Sequence, residues 1–209
     1  MAAPLTPGIV AENLVSPGVA DRRTLRKTLL ERRRALPADE WIRHSSRICA
    51  LLQSGFPQLP GMRVGFCWPF NNEPDLRPLL TSWANEGREG FAALLPVVID
   101  ESQTLAFRAW LPDTLLMPDR YGIPAPAAGD FLIPQVLLMP VNGFDAAGYR
   151  LGYGGGYFDR TLASLCPRPL AVGVGFELSR LESIGPEPHD QRLDAVVTEA
   201  GIFPCSLRP

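Results

Sequence analysis

The stretch Gly143–Arg160, GFDAAGYRLGYGGGYFDR, decides how the rest of the chain is read. The apolar run Val136–Met139 precedes it and has the composition of a buried strand; Thr161–Leu165 follows and reads as the body of a helix. Between them Gly152, Gly154, Gly155 and Gly156 sit almost together. Glycine accepts positive φ and lets a ligand approach the backbone, so such a run can turn successive N–H groups inward around an anion. The helix that follows adds partial positive charge at its N-terminus. Arg150 stands before the glycines and can fork onto phosphate oxygens. Asp145 and Asp159 flank them, and carboxylates are what Mg²⁺ takes from a protein at a phosphate site.

Glycine richness alone reads more often as a tight connection. The pattern is neither G-x-x-x-x-G-K-[ST] nor a clean G-x-G-x-x-G, so neither nucleotide fingerprint applies. The whole string is more specific. Phe144 and Asp145, then Gly148, Arg150, Leu151, Gly152, Gly154, Gly156, Tyr157, Phe158, Asp159 and Arg160, closely resemble the signature of the 5-formyltetrahydrofolate cyclo-ligase family. That signature is a Phe-Asp pair followed by G-x-R-L-G-x-G-x-G-Y-[YF]-D-R.

Upstream, Asp21 is placed to cap a helix running to about Leu36, with Leu25, Leu29 and Leu36 on one face. Arg22, Arg23, Arg26, Lys27, Arg32, Arg33 and Arg34 form a basic rim, which on residue pattern alone is a solvated face. The resemblance implies otherwise for its start. The family begins with a K-x-x-x-R segment whose cations reach ATP phosphates, and the matching positions are Arg22 and Arg26, with an arginine for the usual lysine. A second amphipathic helix spans Ala38 to about Ser54, and His44 in it reads as structural. Met62–Trp68 reads as the first sheet strand and leads into WPFNNEPDLRPLL, residues Trp68–Leu80. Glu73 on spacing alone is a carboxylate favoured by a helix N-terminus, and Asp75 reads as the cap of a helix stopped by Gly87. The resemblance implies instead that Trp68 and Glu73 line a folate pocket. An aromatic wall and a carboxylate acceptor suit a flat pterin with donors on one edge.

Next, Phe91–Ile99 reads as a strand broken by Pro96, and Leu105–Trp110 as its neighbour. Residues Tyr121–Pro124 with Pro126 are similar to the family's G-I-P-E-P element, with Ala125 for its glutamate. Beyond the glycines lies a strand at Ala171–Phe176. His189-Asp190 and Leu193–Glu199 resemble the closing segment H-D-x-x-[LV]-D-x-[VI]-[VI]-T-E. That match implies Asp190 as a second Mg²⁺-associated acid and Asp194 as the residue positioning a last strand, Ala195–Thr198. The resemblance spans about Asp21 to Gly201.

Composition sets the outer bounds. A chain of 209 residues with 46% hydrophobic and 20% charged residues fits one soluble domain. We take residues 1–20, small, apolar and broken by Pro and Gly, as a poorly ordered extension, and 21–209 as a single domain. Net charge of −2 gives no broad basic field for nucleic acid or an anionic membrane, and no apolar run approaches the ~20 residues of a span. The cysteines Cys49, Cys67, Cys166 and Cys205 are scattered without C-x-x-C, which favours reduced thiols in a cytoplasmic protein.

Strands separated by helical runs predict an α/β three-layer sandwich with a largely parallel central sheet and helices on both faces. The resemblance implies ATP- and Mg²⁺-dependent closure of 5-formyltetrahydrofolate, by a monomer, to 5,10-methenyltetrahydrofolate through a phosphorylated formyl group. It implies Arg150 and Tyr157 as catalytic residues and Asp159 and Asp190 at the metal. ATP would meet Arg22, Arg23, Thr24, Leu25, Arg26 and Arg150, then Leu151 to Phe158, with Gly152, Tyr153, Gly154, Gly155, Gly156 and Tyr157 between. Folate would meet Trp68, Glu73, Tyr153, Gly154, Gly155, Gly156 and Tyr157. No side chain need be a covalent nucleophile, so Cys67 and Ser164 are bystanders. Two readings from other classes stay open: a binding protein of the same fold without catalysis, and a sugar-phosphate isomerase or acyl-transferase of related architecture.

Overall fold

A strand whose side chains are all apolar must be covered on both faces. Val136, Leu137, Leu138 and Met139 are each at most 1% exposed, and they form the middle of the sheet. The computed structural model describes residues 21–100 and 104–205, so the extension expected over 1–20 lies outside the described residues.

In chain order come helix α1 (Arg22–Arg34), helix α2 (Ala38–Gly55), strand β1 (Arg63–Gly65) and helix α3 (Arg77–Glu86). Strands β2 (Ala92–Val97), β3 (Ala106–Ala109), β4 (Leu116–Pro118) and β5 (Pro124–Pro126) follow. The central β6 (Val136–Pro140) leads into β7 (Gly143–Asp145), β8 (Arg150–Leu151) and helix α4 (Tyr157–Ser164). The last described elements are β9 (Leu170–Val174), β10 (Arg180–Leu181), β11 (Ala195–Thr198) and β12 (Gly201–Pro204).

The main sheet has the order β12-β11-β9-β6-β1-β2-β3. Its inner strands run parallel, and only the edges β12 and β3 are antiparallel. Alternate residues face opposite layers. Val64, Val136, Leu138, Val172, Val174 and Val197 pack with Ile48, Leu52, Leu80 and Trp83 of α2 and α3. Leu137, Met139, Ala171 and Val196 pack on the other face with Leu162 and Phe158 of α4. The three-layer α/β sandwich expected from the sequence is therefore present. Leu138, on the central strand, is 1% exposed. Leu138→Ala should lower stability by about 2–5 kcal/mol in a urea melt, the usual cost of a buried cavity. A loss under about 1 kcal/mol would show that this layer collapses around the gap.

Several boundaries differ from expectation for local reasons. Pro96 does not break β2. Pairing with β1 stops at Leu94, so the missing proline donor faces no strand there, while β3 pairs on the other side through Phe107. Asp75 lies before the α3 N-cap, Leu76, yet its carboxylate accepts the Arg77 N–H at 3.0 Å and so does the work of a cap. Gly87 ends α3 with φ of 63°, as its sequence position suggests. The β4–β5 hairpin, the small β10-β7-β8 sheet and the edge strand β12 were not foreseen. No helix among the described residues is long and apolar enough to cross a membrane.

Candidate active site

The connection from β1 moves to β2 on one side, whereas β6 joins the sheet on the other side of β1. Loops leaving the carboxyl ends of β1 and β6 therefore diverge, which is where open α/β sheets bind ligands. A cavity of about 350 Å³ lies there. Cys67 and Trp68 come from the segment just past β1, Pro140 from β6, Pro96 from β2 and Val98 from just beyond it. The Gly152–Gly156 loop and the α4 N-terminus close one side, α1 another, and the β4–β5 turn a third. Arg26, Glu73, Arg150 and Asp190, widely separated in sequence, share its wall.

One end is cationic. Arg22 forks onto Asp190, with Nη1–Oδ2 at 2.5 Å and Nη2–Oδ1 at 3.1 Å. Its Nε is buried with no hydrogen-bond partner among the described residues. Arg26 Nε donates to the Gly152 carbonyl at 3.1 Å, which ties α1 to the glycine-rich loop. Arg150 is 5% exposed; it donates to the Gln191 carbonyl at 3.0 Å and pairs with Asp159 at 3.1 Å. Burial pulls its pKa down, and Asp159 pulls the other way. In the loop, Gly154 (φ 99°) and Gly156 (φ 65°) take left-handed conformations that a side chain would oppose. Gly156 is also the α4 N-cap, so the free N–H groups of the first turn open toward the cavity.

The other end is apolar with one carboxylate. Trp68 stands edge-on to Trp110 at 6.4 Å, with the Arg77 guanidinium 4.5 Å from its ring centre. Phe70 and Tyr153 pack at 6.4 Å. Glu73 is 4% exposed. It accepts from Tyr153 Oη at 2.7 Å on Oε1 and from the Phe70 N–H at 3.1 Å on Oε2. Burial raises its pKa, and the Arg33 charge with these two donors offsets only part of that rise. Cys67 is pushed well above the usual thiol range, first by burial and then by Glu73, so it is a neutral thiol and no nucleophile. At the mouth Tyr157 Oη lies 2.8 Å from Tyr121 Oη. That hydrogen bond is the main cause that raises the Tyr157 pKa.

Not every expected contact lines the cavity. Arg23 and Thr24 are exposed on α1. Leu25 and Leu151 pack in a small cluster with Leu29 and Ile184, so their role is to seat α1 against β8. Asp145, noted as metal-capable, is 3% exposed and accepts from the Tyr149 and Ile184 N–H groups at 3.1 Å each. It holds the turn and does not face the cavity. The reading of the α1 arginines as a solvated rim fails at Arg33, which is 1% exposed. Tyr121 and Asp119 at the mouth were also missed; the similarity of Tyr121–Pro124 to a family element was the available signal.

Among the described residues no group of three or more His, Cys, Asp or Glu could hold a metal. Asp159 and Asp190 are both on the cavity wall, but Asp159 Oδ1 already accepts from Arg150 and the Gln191 N–H, and Asp190 from Arg22 and the Glu187 N–H, so a Mg²⁺ ion with its usual one or two carboxylates would share or displace those donors. They do not make an all-protein cage. His189 is largely exposed, 3.9 Å from Asp190.

Known proteins share the sequence pattern and the fold. The profile of the 5-formyltetrahydrofolate cyclo-ligase family matches residues 19–199. The 5-formyltetrahydrofolate cyclo-ligase of Escherichia coli K12 is 29% identical over 181 residues, covering 83% of this chain and 97% of that protein. That of Mycolicibacterium smegmatis is 28% identical over 185 residues, covering 83% and 91%. The solution structure of Aquifex aeolicus 5,10-methenyltetrahydrofolate synthetase superposes with a TM-score of 0.76 at 28% identity, covering 90% of this chain and 96% of that one. The Mycoplasma pneumoniae 5,10-methenyltetrahydrofolate synthetase, at 22% identity and a TM-score of 0.69, shares the fold. With its profile matched from the start of α1 to the end of β11, the chain belongs to the 5-formyltetrahydrofolate cyclo-ligase family of enzymes.

Proposed function

We propose that this protein converts 5-formyltetrahydrofolate and ATP to 5,10-methenyltetrahydrofolate, ADP and phosphate. The observation that carries the reading is the single cavity with a cationic, glycine-lined end and an aromatic, carboxylate-bearing end. Neither a nucleotide nor a folate alone calls for both ends.

The chemistry explains the pairing. The formyl group on N5 is amide-like, so its carbon is a weak electrophile and its oxygen a poor leaving group. Transfer of the γ-phosphoryl to that oxygen cures both. N10 then attacks the formyl carbon and loses its proton, and phosphate departs with the former formyl oxygen. Phosphoryl transfer is mainly positioning and charge stabilisation. Arg22, Arg26 and Arg150, with the N–H groups of the glycine-rich loop, hold the phosphate oxygens. Asp159 and Asp190 would hold Mg²⁺, which when bound supplies charge neutralisation across the phosphates. Trp68 and Glu73 hold the pterin, and Tyr157 donates from the mouth. The test is methenyltetrahydrofolate absorbance from purified protein with ATP and Mg²⁺, beside mixes lacking ATP or carrying a chelator. Product only in the complete mix is expected; equal product without ATP would overturn the reading.

A further inference from the structure

Arg33 lies in the last turn of α1, is 1% exposed, and reaches the Asn71 and Val141 carbonyls and Tyr153 behind the Glu73 end of the cavity. Its Nε donates to the Asn71 carbonyl at 2.9 Å. Its Nη2 donates to Tyr153 Oη at 2.5 Å and lies 3.8 Å from Glu73 Oε1. We infer that Arg33 is a positioning residue that sets Glu73 in place as the oriented acceptor for folate. The inference rests on the reading that Glu73 faces the pterin.

Two features require such a residue. Asn71 and Asn72, just before Glu73, have φ of 51° and 57°. Consecutive left-handed non-glycine residues persist only where the surroundings hold them. Arg33 holds the first from the interior, while Arg34 binds the Asn71 side chain from outside and accepts from Asn72 through its carbonyl. Trp41 Nε1 fixes the Glu73 carbonyl at 2.9 Å. The second feature is a directed relay. Arginine only donates and a carboxylate only accepts, so the Tyr153 hydroxyl must accept from Arg33 and aim its own hydrogen at Glu73. Each Glu73 oxygen thus has one fixed donor and a remaining lone pair for the ligand.

Charge matters as well as place. Arg33 from α1, Tyr153 from the glycine-rich loop and Cys67 from just past β1 face the Glu73 carboxyl. Burial favours its neutral form, and Arg33 is the main opposing charge. Loss of Arg33 would leave a protonated acid where an acceptor is needed, beginning at higher pH than in the wild type.

The experiment titrates 5-formyltetrahydrofolate by intrinsic tryptophan fluorescence across pH, with KM for folate and ATP measured in parallel, on Arg33→Met, Arg33→Lys, Tyr153→Phe and Glu73→Gln. Arg33→Met should weaken folate binding roughly tenfold or more, as loss of charge-assisted hydrogen bonds does. Its KM for ATP should stay within about twofold, and the acid-side midpoint of folate binding should move to higher pH. Arg33→Lys should restore that midpoint but only part of the affinity, because an ammonium cannot fork. Tyr153→Phe should weaken folate binding in the same sense, and it alone decides the matter if Arg33→Met does not fold. If Glu73→Gln weakens folate binding while folded Arg33→Met and Tyr153→Phe proteins match the wild type, the inference fails alone. An equal loss of ATP and folate affinity also overturns it, since that marks a merely structural residue. If Glu73→Gln itself leaves folate binding unchanged, the folate reading of Glu73 fails first.

Discussion

Arg150→Met should lower kcat/KM about a thousandfold, and adding Asp159→Asn should recover stability without recovering activity. The two effects separate because Arg150 has two jobs. It is 5% exposed and braces Asp159 and the Gln191 carbonyl. Removing one partner of a buried pair strands the other charge and typically costs about 3–5 kcal/mol. Removing both charges eliminates that penalty, so the double variant should melt close to the wild type.

Activity follows a different rule. A preorganised donor aimed at developing charge in a dry site is worth roughly 10²–10³ in rate, and a full guanidinium stands at the upper end. Neutralising Asp159 cannot replace it. Urea melts and kcat/KM for both substrates on the two variants make the test. A folded Arg150→Met protein that keeps more than about a tenth of wild-type kcat/KM would reduce Arg150 to a brace.

What could be read from the chain depended on how local each feature is. The glycine-rich stretch was legible because its strand, loop and helix lie within one short span. The parallel core was legible because Val136–Met139 is apolar at every position. The β4–β5 hairpin was not, since Leu116 is half-buried and Met117 exposed, which leaves no alternating burial to read. Arg33 was misjudged because it sits among six other basic residues on α1, and its partners Asn71 and Tyr153 lie far along the chain. Tyr153 occupies a variable position of the family signature, so only the fold reveals that it bridges Arg33 and Glu73. Asp145 misled for the opposite reason. A carboxylate beside glycines suits a metal, but this one is 3% exposed, turned onto the Tyr149 and Ile184 N–H groups and off the cavity wall.

Asp190→Asn should change ATP affinity in opposite directions with and without Mg²⁺. The Asp190 side chain is 5% exposed. Burial alone would raise its pKa, but hydrogen bonds from Arg22 and the Glu187 N–H, with the Arg22 charge, hold it below the ordinary carboxylate range. A depressed pKa means the pair contributes fully above the ordinary Asp range and is lost only as pH falls through the lowered value. At neutral pH, therefore, Arg22 is already neutralised before any nucleotide arrives. Asparagine keeps an acceptor for the Glu187 N–H, 2.7 Å away, so the loop should hold its shape. Metal-free ATP then meets an unpaired Arg22 and no facing carboxylate, and should bind about tenfold tighter. Mg²⁺–ATP loses one of the two acids suited to the ion, and should bind about tenfold more weakly, with kcat down roughly a hundredfold. Calorimetric titration of ATP with Mg²⁺ and with a chelator reads both signs. A loss in both conditions would make Asp190 only the anchor of α1, and no change in either would remove it from the phosphate end.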